Sequence, residues 1–222
     1  MIRDPQAMQL LASLGAAAVI LGSVTAFSQA RLKLLVAYST VAQIGYMFFV
    51  FTLAPSAPGE DVLAATAWTG GWMQVMAHAF AKAAMFMAAG MVAEALGHDR
   101  INDLAGLAKR LPLVALTFTM SGLSLMGIPP SGGFSAKWLL LMAAMAEGHW
   151  LWASVIITGG VLAGAYVFRV IGRMMAEPAQ AVAIKPVAAT QQAVAFGLAC
   201  IAVTLGLLPL GPAGPLLIGR MP

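Results

Sequence analysis

Six stretches of this chain, roughly 7–28, 34–54, 71–96, 112–146, 150–174 and 190–210, are long, apolar and nearly empty of charge. A bilayer span needs about 20 mainly apolar residues. Away from water each backbone N–H and C=O must find an internal partner, and a helix supplies one within the segment itself. The composition agrees: 61% of residues are hydrophobic and only 9% are charged, against roughly 25% charged in a soluble domain. So few charges cannot cover a wetted surface. The expected fold is all-α and integral to the membrane, with about six helices in one transmembrane domain over 1–222. The first stretch reads as a retained helix, because no small-x-small cleavage site precedes a polar mature region. The lone cysteine, Cys200, lies in an apolar run and is read as a packing residue.

The links carry the orientation. Links one, three and five, with adjoining helix ends, hold Arg31, Lys33, Arg100, Lys109, Arg110, Arg169, Arg173 and Lys185. The opposite side has Arg3 and Arg220 alongside Asp4, Glu60, Asp61 and Glu147. Lys and Arg accumulate on the cytoplasmic side, so both termini are expected at the periplasm or cell exterior of a prokaryotic inner membrane. Pro55, Pro58 and Gly59 mark the second link as a turn. Arg169, Arg173 and Tyr166 read as interfacial anchors, and Trp72, Trp138, Trp150 and Trp152 as an aromatic belt.

Two lysines remain in apolar surroundings, Lys82 and Lys137. A lysine at the centre of a span costs about 2.5–3.5 kcal/mol to insert, so such residues face a bundle interior or a hydrated cavity. Lys82 lies too far from either end of its span for its stem to reach water. His78 precedes it by one helical turn, so imidazole and ammonium share a face, as two steps of a proton relay would require. Lys137 follows Pro129, Pro130, Gly132 and Gly133. These residues cannot continue a regular helix and split the over-long fourth stretch near 128–133 into two half-helices. Unwound backbone at membrane depth, beside a charge, is the pattern of ion pathways in transporters. Lys33, Tyr38, Gln43 and Glu94 are secondary candidates, for the pathway or for contacts between helices; Glu94 reads equally as a solvated helix end.

At these residues the chain resembles the proton-conducting antiporter-like family shared by the membrane arm of respiratory complex I, energy-converting hydrogenases and Mrp-type cation/proton antiporters. The match rests on LKLLVAYSTVAQIGY (residues 32–46), HAFAKAAMF (78–86) and GLAKRLPLVALTFTMSGLSLMGIPPSGGFSAKWLLL (106–141). The resemblance implies the second five-helix repeat of such subunits plus one trailing helix. It implies that Lys82 is the central lysine linking two half-channels, with His78 beside it, and that Lys137 is the output residue. Arg31 and Leu34 depart from the family, which has an acidic residue two before Lys33 and a basic one after it. The first repeat, with its glutamate–lysine pair, is unmatched, and the start at Met1 directly before a helix fits a naturally split subunit. A second membrane polypeptide carrying the missing helices is therefore an expected partner.

The leading expectation is a proton-translocating half-module of a multisubunit complex. Two like charges about 10 Å apart at an effective dielectric of 20 repel by about 1.7 kcal/mol, enough for a charge change in one subunit to bias a lysine in the next. The alternatives are a non-conducting structural or assembly subunit, and a component of a cation/proton antiporter. No carboxylate cluster suited to a hard cation lies in the spans, which favours protons over Na+. Neither a cysteine cluster, a phosphate loop nor a nucleophile–base pair is present. No cofactor, metal site, catalytic residue or nucleic-acid partner is expected, and any redox chemistry belongs to other subunits.

Overall fold

The computed structural model describes residues 4–54, 62–178 and 184–208. Arg3, Pro55, Pro58, Gly59, Glu60, Asp61 and Arg220, which entered the reading of links and charges, lie outside them. The elements are α1 (Pro5–Ser28), α2 (Leu32–Leu53), α3 (Val62–Leu96), a 3-10 turn (Ile101–Asp103), α4 (Leu107–Arg110), α5 (Pro112–Met126), α6 (Gly132–Ala146), α7 (Trp150–Met175), α8 (Ala189–Thr204) and a second 3-10 turn (Leu205–Leu207). Five helices, the last one counted through its 3-10 turn, are long and apolar enough to cross a membrane, and α5 with α6 form the interrupted sixth. The fold is thus the all-α membrane bundle with one broken helix. The third helix begins at Val62 rather than at 71. Gly70 and Gly71, which look like a helix start in the sequence, are packing positions inside it: Gly70 faces Leu139 and Leu140, and Gly71 faces Val50.

Lipid tails are as apolar as leucine, so association of membrane helices rests on close packing, and small residues permit it. The α1–α2 pair follows this rule. A Cβ added at Gly15 would lie 2.6 Å from the Gly45 carbonyl oxygen, and one at Gly22 would lie 2.7 Å from the Ala42 nitrogen. The start of α1 is capped by Asp4, whose carboxylate accepts from Gln6 N at 3.1 Å. At its other end Arg169 of α7 donates to the carbonyls of Phe27 and Gln29, satisfying acceptors that a helix C-terminus leaves free.

The first, third and fifth links meet in one layer at a single end of the bundle. Leu32 N donates to the Asp99 carbonyl at 2.7 Å and Ile101 N to Ala30 at 2.9 Å. Asp99 also caps α2, accepting from Lys33 N at 3.1 Å. Gly106 N reaches the Ala176 carbonyl, Lys185 N reaches Ala95, and Lys109 pairs with Glu177. All the basic residues assigned to those links therefore share one side.

Two apolar clusters divide the interior. One gathers Leu35, Met85, Phe118, Tyr166 and Val170; the other gathers Tyr46, Phe49, Leu53, Leu140 and Trp152. Along α2 the buried polar residues Ser39 and Gln43 fall between positions belonging to the two, and along α3 Gln74 does the same. The polar layer is therefore internal, with apolar packing on either side. Two aromatic residues leave the places their sequence suggests. Tyr166 is fully buried and Trp152 nearly so, while Trp72, Trp138 and Trp150 remain exposed. The side of α7 bearing Ala163, Tyr166 and Val170 turns inward, which overrides the ordinary preference of tyrosine for the interface.

A lysine pair on one face of a membrane helix

The site begins where α5 stops. Gly127 adopts a left-handed conformation, φ 85°, that residues with a Cβ adopt only at a cost. Its N–H returns to the Leu123 and Ser124 carbonyls, and Ile128 N returns to Leu123, the closed pattern typical of a glycine-ended helix. Pro129 and Pro130 prevent continuation. Ser131 then starts α6, its hydroxyl accepting from Phe134 N at 3.2 Å. Such a cap is worth about 1 kcal/mol. Gly133 lies so close to the Ser124 carbonyl that no side chain fits between them.

This interruption leaves the Leu125 carbonyl free, at the negative end of the α5 dipole. The Lys137 ammonium, from the second turn of α6, donates to that carbonyl and to Gln43 Oε1 at 3.2 Å. Gln43 Nε2 donates to the same carbonyl at 3.1 Å, and Gln74 Nε2 donates to Gln43 Oε1 at 3.0 Å. The Tyr46 ring closes the group, 4.7 Å from the ammonium. The broken helix thus creates the acceptor that holds the lysine.

Lys82 is held on α2, one turn from Gln43. Its ammonium donates to the Val36 carbonyl at 2.7 Å and to the Ser39 hydroxyl, while Ser39 donates to Val36 at 2.9 Å. Val36, Ser39, Gln43 and Tyr46 recur at helical spacing, so one stripe of α2 anchors both lysines. Lys82 and Lys137 are 6% and 7% exposed, and among the described residues neither has a carboxylate within ion-pair distance. Paired buried ammonium groups are held by neutral acceptors alone. His78 is half-buried and within electrostatic reach of both, with Nδ1 unbonded. From Lys137 a mainly apolar cleft of about 310 Å³ runs between the joint and α7, past Phe134, Trp138 and Gly160; among the described residues Lys137 is its one ionisable lining residue.

Of the positions singled out from the sequence, Lys82, Lys137 and Gln43 come together on the anchoring stripe of α2, with His78 one turn before Lys82 on α3 and the joint formed by Pro129, Pro130, Gly132 and Gly133 just before Lys137. Lys33, Tyr38 and Glu94 do not; all three are exposed, on other faces of α2 and α3. Ser39, Gln74 and Tyr46 belong to the constellation but were not singled out. The signal was present: Gln74, His78 and Lys82 form a run spaced by four residues, as do Ser39 and Gln43.

Residues 1–163 match the family model described as NADH:quinone oxidoreductase/Mrp antiporter, TM. The chain is 35% identical over 164 residues to NADH-quinone oxidoreductase subunit N of Desulforudis audaxviator, an alignment covering 74% of this chain and 31% of that protein. It is 35% identical over 172 residues to NADH-quinone oxidoreductase subunit L of Escherichia coli K12, covering 77% and 26%. Among solved structures it superposes on a chain of the Mrp complex from Dietzia sp. DQ12-45-1b with a TM-score of 0.80 and 25% identity, over 92% of this chain and 45% of that one. A chain of the archaeal membrane-bound sulfane sulfur reductase gives a TM-score of 0.76 at 27% identity, over 91% and 39%. The chain thus spans about a third or less of the curated relatives and under half of the solved chains. It belongs to the transmembrane family shared by NADH:quinone oxidoreductases and Mrp antiporters.

Proposed function

We propose that this chain is a proton-translocating half-module of a multisubunit membrane complex. The observation that carries the reading is the pair of buried lysines without carboxylate partners among the described residues, anchored one turn apart on α2, one of them beside the break in a helix. Charged groups inside a bundle are costly and are retained where they serve a pathway. Neutral anchors suit proton exchange: a carboxylate partner would fix the ammonium as charged, whereas carbonyl, amide and hydroxyl oxygens hold it in place without that bias. In this reading a proton arrives at Lys82 near His78, passes to Lys137, and leaves beside the joint. Protons are favoured over a hard cation because the anchoring groups include no carboxylate.

The remaining assignments rest on the same reading. Partners are other membrane subunits, one of them supplying the first repeat that relatives of greater length contain. The basic layer of the first, third and fifth links faces the cytoplasm, with both termini outside.

The test is proton movement in native membrane vesicles carrying Lys82→Ala or Lys137→Ala. Either substitution abolishes proton movement while the amount of chain in the membrane stays close to that of the parent. Unchanged proton movement in both variants would leave an assembly role as the better account.

A further inference from the structure

Arg31 and Arg100 stand directly opposite one another where the first and third links meet, in an isolated antiparallel bridge. Leu32 N donates to the Asp99 carbonyl and Ile101 N to the Ala30 carbonyl, so the bonds flank the two arginines and leave them as a non-hydrogen-bonded pair. In such a pair the Cα atoms are about 4.5 Å apart and the side chains leave the backbone on one face. Both residues are extended, with φ −109° and −70°, and both are exposed. The backbone therefore fixes two guanidinium groups side by side, which like-charge repulsion disfavours.

Among the described residues no carboxylate lies within ion-pair distance of either arginine. Four acidic residues belong to this end of the bundle: Glu94, Asp99, Asp103 and Glu177. Asp99 accepts from Lys33 N, Asp103 faces His98 at 3.8 Å, Glu177 faces Lys109 at 3.4 Å, and Glu94 is exposed on α3. Below Arg31 the outward face of α2 is apolar. Leu34, Tyr38 and Val41 follow at helical spacing and are 44%, 40% and 47% exposed. The 22 residues of α2 span about 33 Å, close to the hydrocarbon thickness of about 30 Å, so Arg31 before its first turn sits at headgroup level.

We infer that Arg31 and Arg100 hold the phosphate of an anionic phospholipid, with an acyl chain lying along Leu34, Tyr38 and Val41. Guanidinium forks match phosphate oxygens bidentately. A zwitterionic headgroup would bring a further cation to the pair; an anionic one supplies the missing counter-charge. A soluble phosphate would use the arginines and leave the apolar stripe idle, whereas a lipid uses both. The bound lipid clamps the first link to the third. The inference stands apart from the proton-conducting reading of the lysines.

The test uses the purified complex in nanodiscs of phosphatidylcholine, alone or mixed with phosphatidylglycerol. A phosphatidylglycerol with a photoreactive acyl chain labels residues 34–41, and mass spectrometry reads the yield. Arg31→Gln with Arg100→Gln lowers that yield about 30-fold, the scale of two basic side chains at a charged membrane surface. Lys185→Gln, in the same basic layer but outside the pair, leaves it unchanged. The second readout is the melting temperature. Phosphatidylglycerol raises that of the parent, because a ligand of the folded form stabilises it, and Arg31→Gln loses most of the rise. In phosphatidylcholine alone Arg31→Gln melts no lower than the parent, since a repulsion has been removed. If it melts lower in both lipids alike, Arg31 serves the fold alone and the inference fails. An equal loss of label with Lys185→Gln would leave only the diffuse field of the basic layer, and full competition by inorganic phosphate would assign the pair to a soluble anion. An unlabelled α2 in the parent, as when another subunit covers the pair, also overturns the site.

Discussion

Gln43 is the residue on which the site converges. Its amide oxygen receives Lys137 and Gln74, and its amide nitrogen shares the Leu125 carbonyl with Lys137. Gln43→Leu keeps the volume and removes all of these side-chain bonds, leaving Gln74 only its longer bond to the carbonyl of residue 43 and Lys137 with a single acceptor. Unsatisfied buried groups cost about 1–3 kcal/mol each, so we expect a lower melting temperature in detergent and a loss of proton movement of about tenfold or more. Both are measurable on the purified complex. The charged members of the site were legible in the sequence because a lysine in an apolar run has few bland explanations. Ser39 and Gln74 were not, since small polar residues are common in membrane helices and only a partner distinguishes them. Tyr166 was misread for a related reason: a tyrosine near a cluster of arginines looks interfacial until the facing of its helix is known.

Among the elements, the α5–α6 joint is the most constrained. Its two halves meet through backbone where Gly133 is pressed against the Ser124 carbonyl, while Gly132 is pressed against Ala77 of α3 and the Ala202 carbonyl of α8. Gly133→Ala must therefore separate the half-helices. Overpacking of this kind costs about 1–3 kcal/mol, and the Lys137–Leu125 contact should go with it. The expected result is reduced thermal stability together with reduced proton movement; a variant as stable and as active as the parent would show that the close approach is dispensable. The existence of this break was readable from length and from Pro129, Pro130, Gly132 and Gly133. Its consequence was not, because the acceptor it exposes is a main-chain carbonyl that carries no mark in the sequence. The opposite error occurred at Gly70 and Gly71, where glycines inside a continuous helix imitate a boundary. Only the neighbours Leu139, Leu140 and Val50 reveal them as contact positions.

At the scale of the whole molecule, the three basic links share one end of the bundle, and this makes sidedness testable. In a Cys200→Ala background, single cysteines at Lys185 and His98 should be labelled by an impermeant maleimide only in inside-out vesicles. A cysteine at Gly148, in the turn between α6 and α7, should be labelled only in right-side-out cells. The reverse pattern would invert the direction assigned to proton flow. The spacing of the two anchors on α2 also has an electrical consequence. Ser39 and Gln43 are four residues apart, about 6 Å along a helix axis, out of a hydrocarbon thickness of about 30 Å. A charge stepping from one anchor to the other in an upright helix crosses about a fifth of the transmembrane field. At 100 mV a full crossing is worth about 2.3 kcal/mol, so this step feels only about 0.5 kcal/mol. Under the proposed proton relay the central exchange is nearly indifferent to membrane voltage, and any steep voltage dependence of turnover would arise where protons enter and leave.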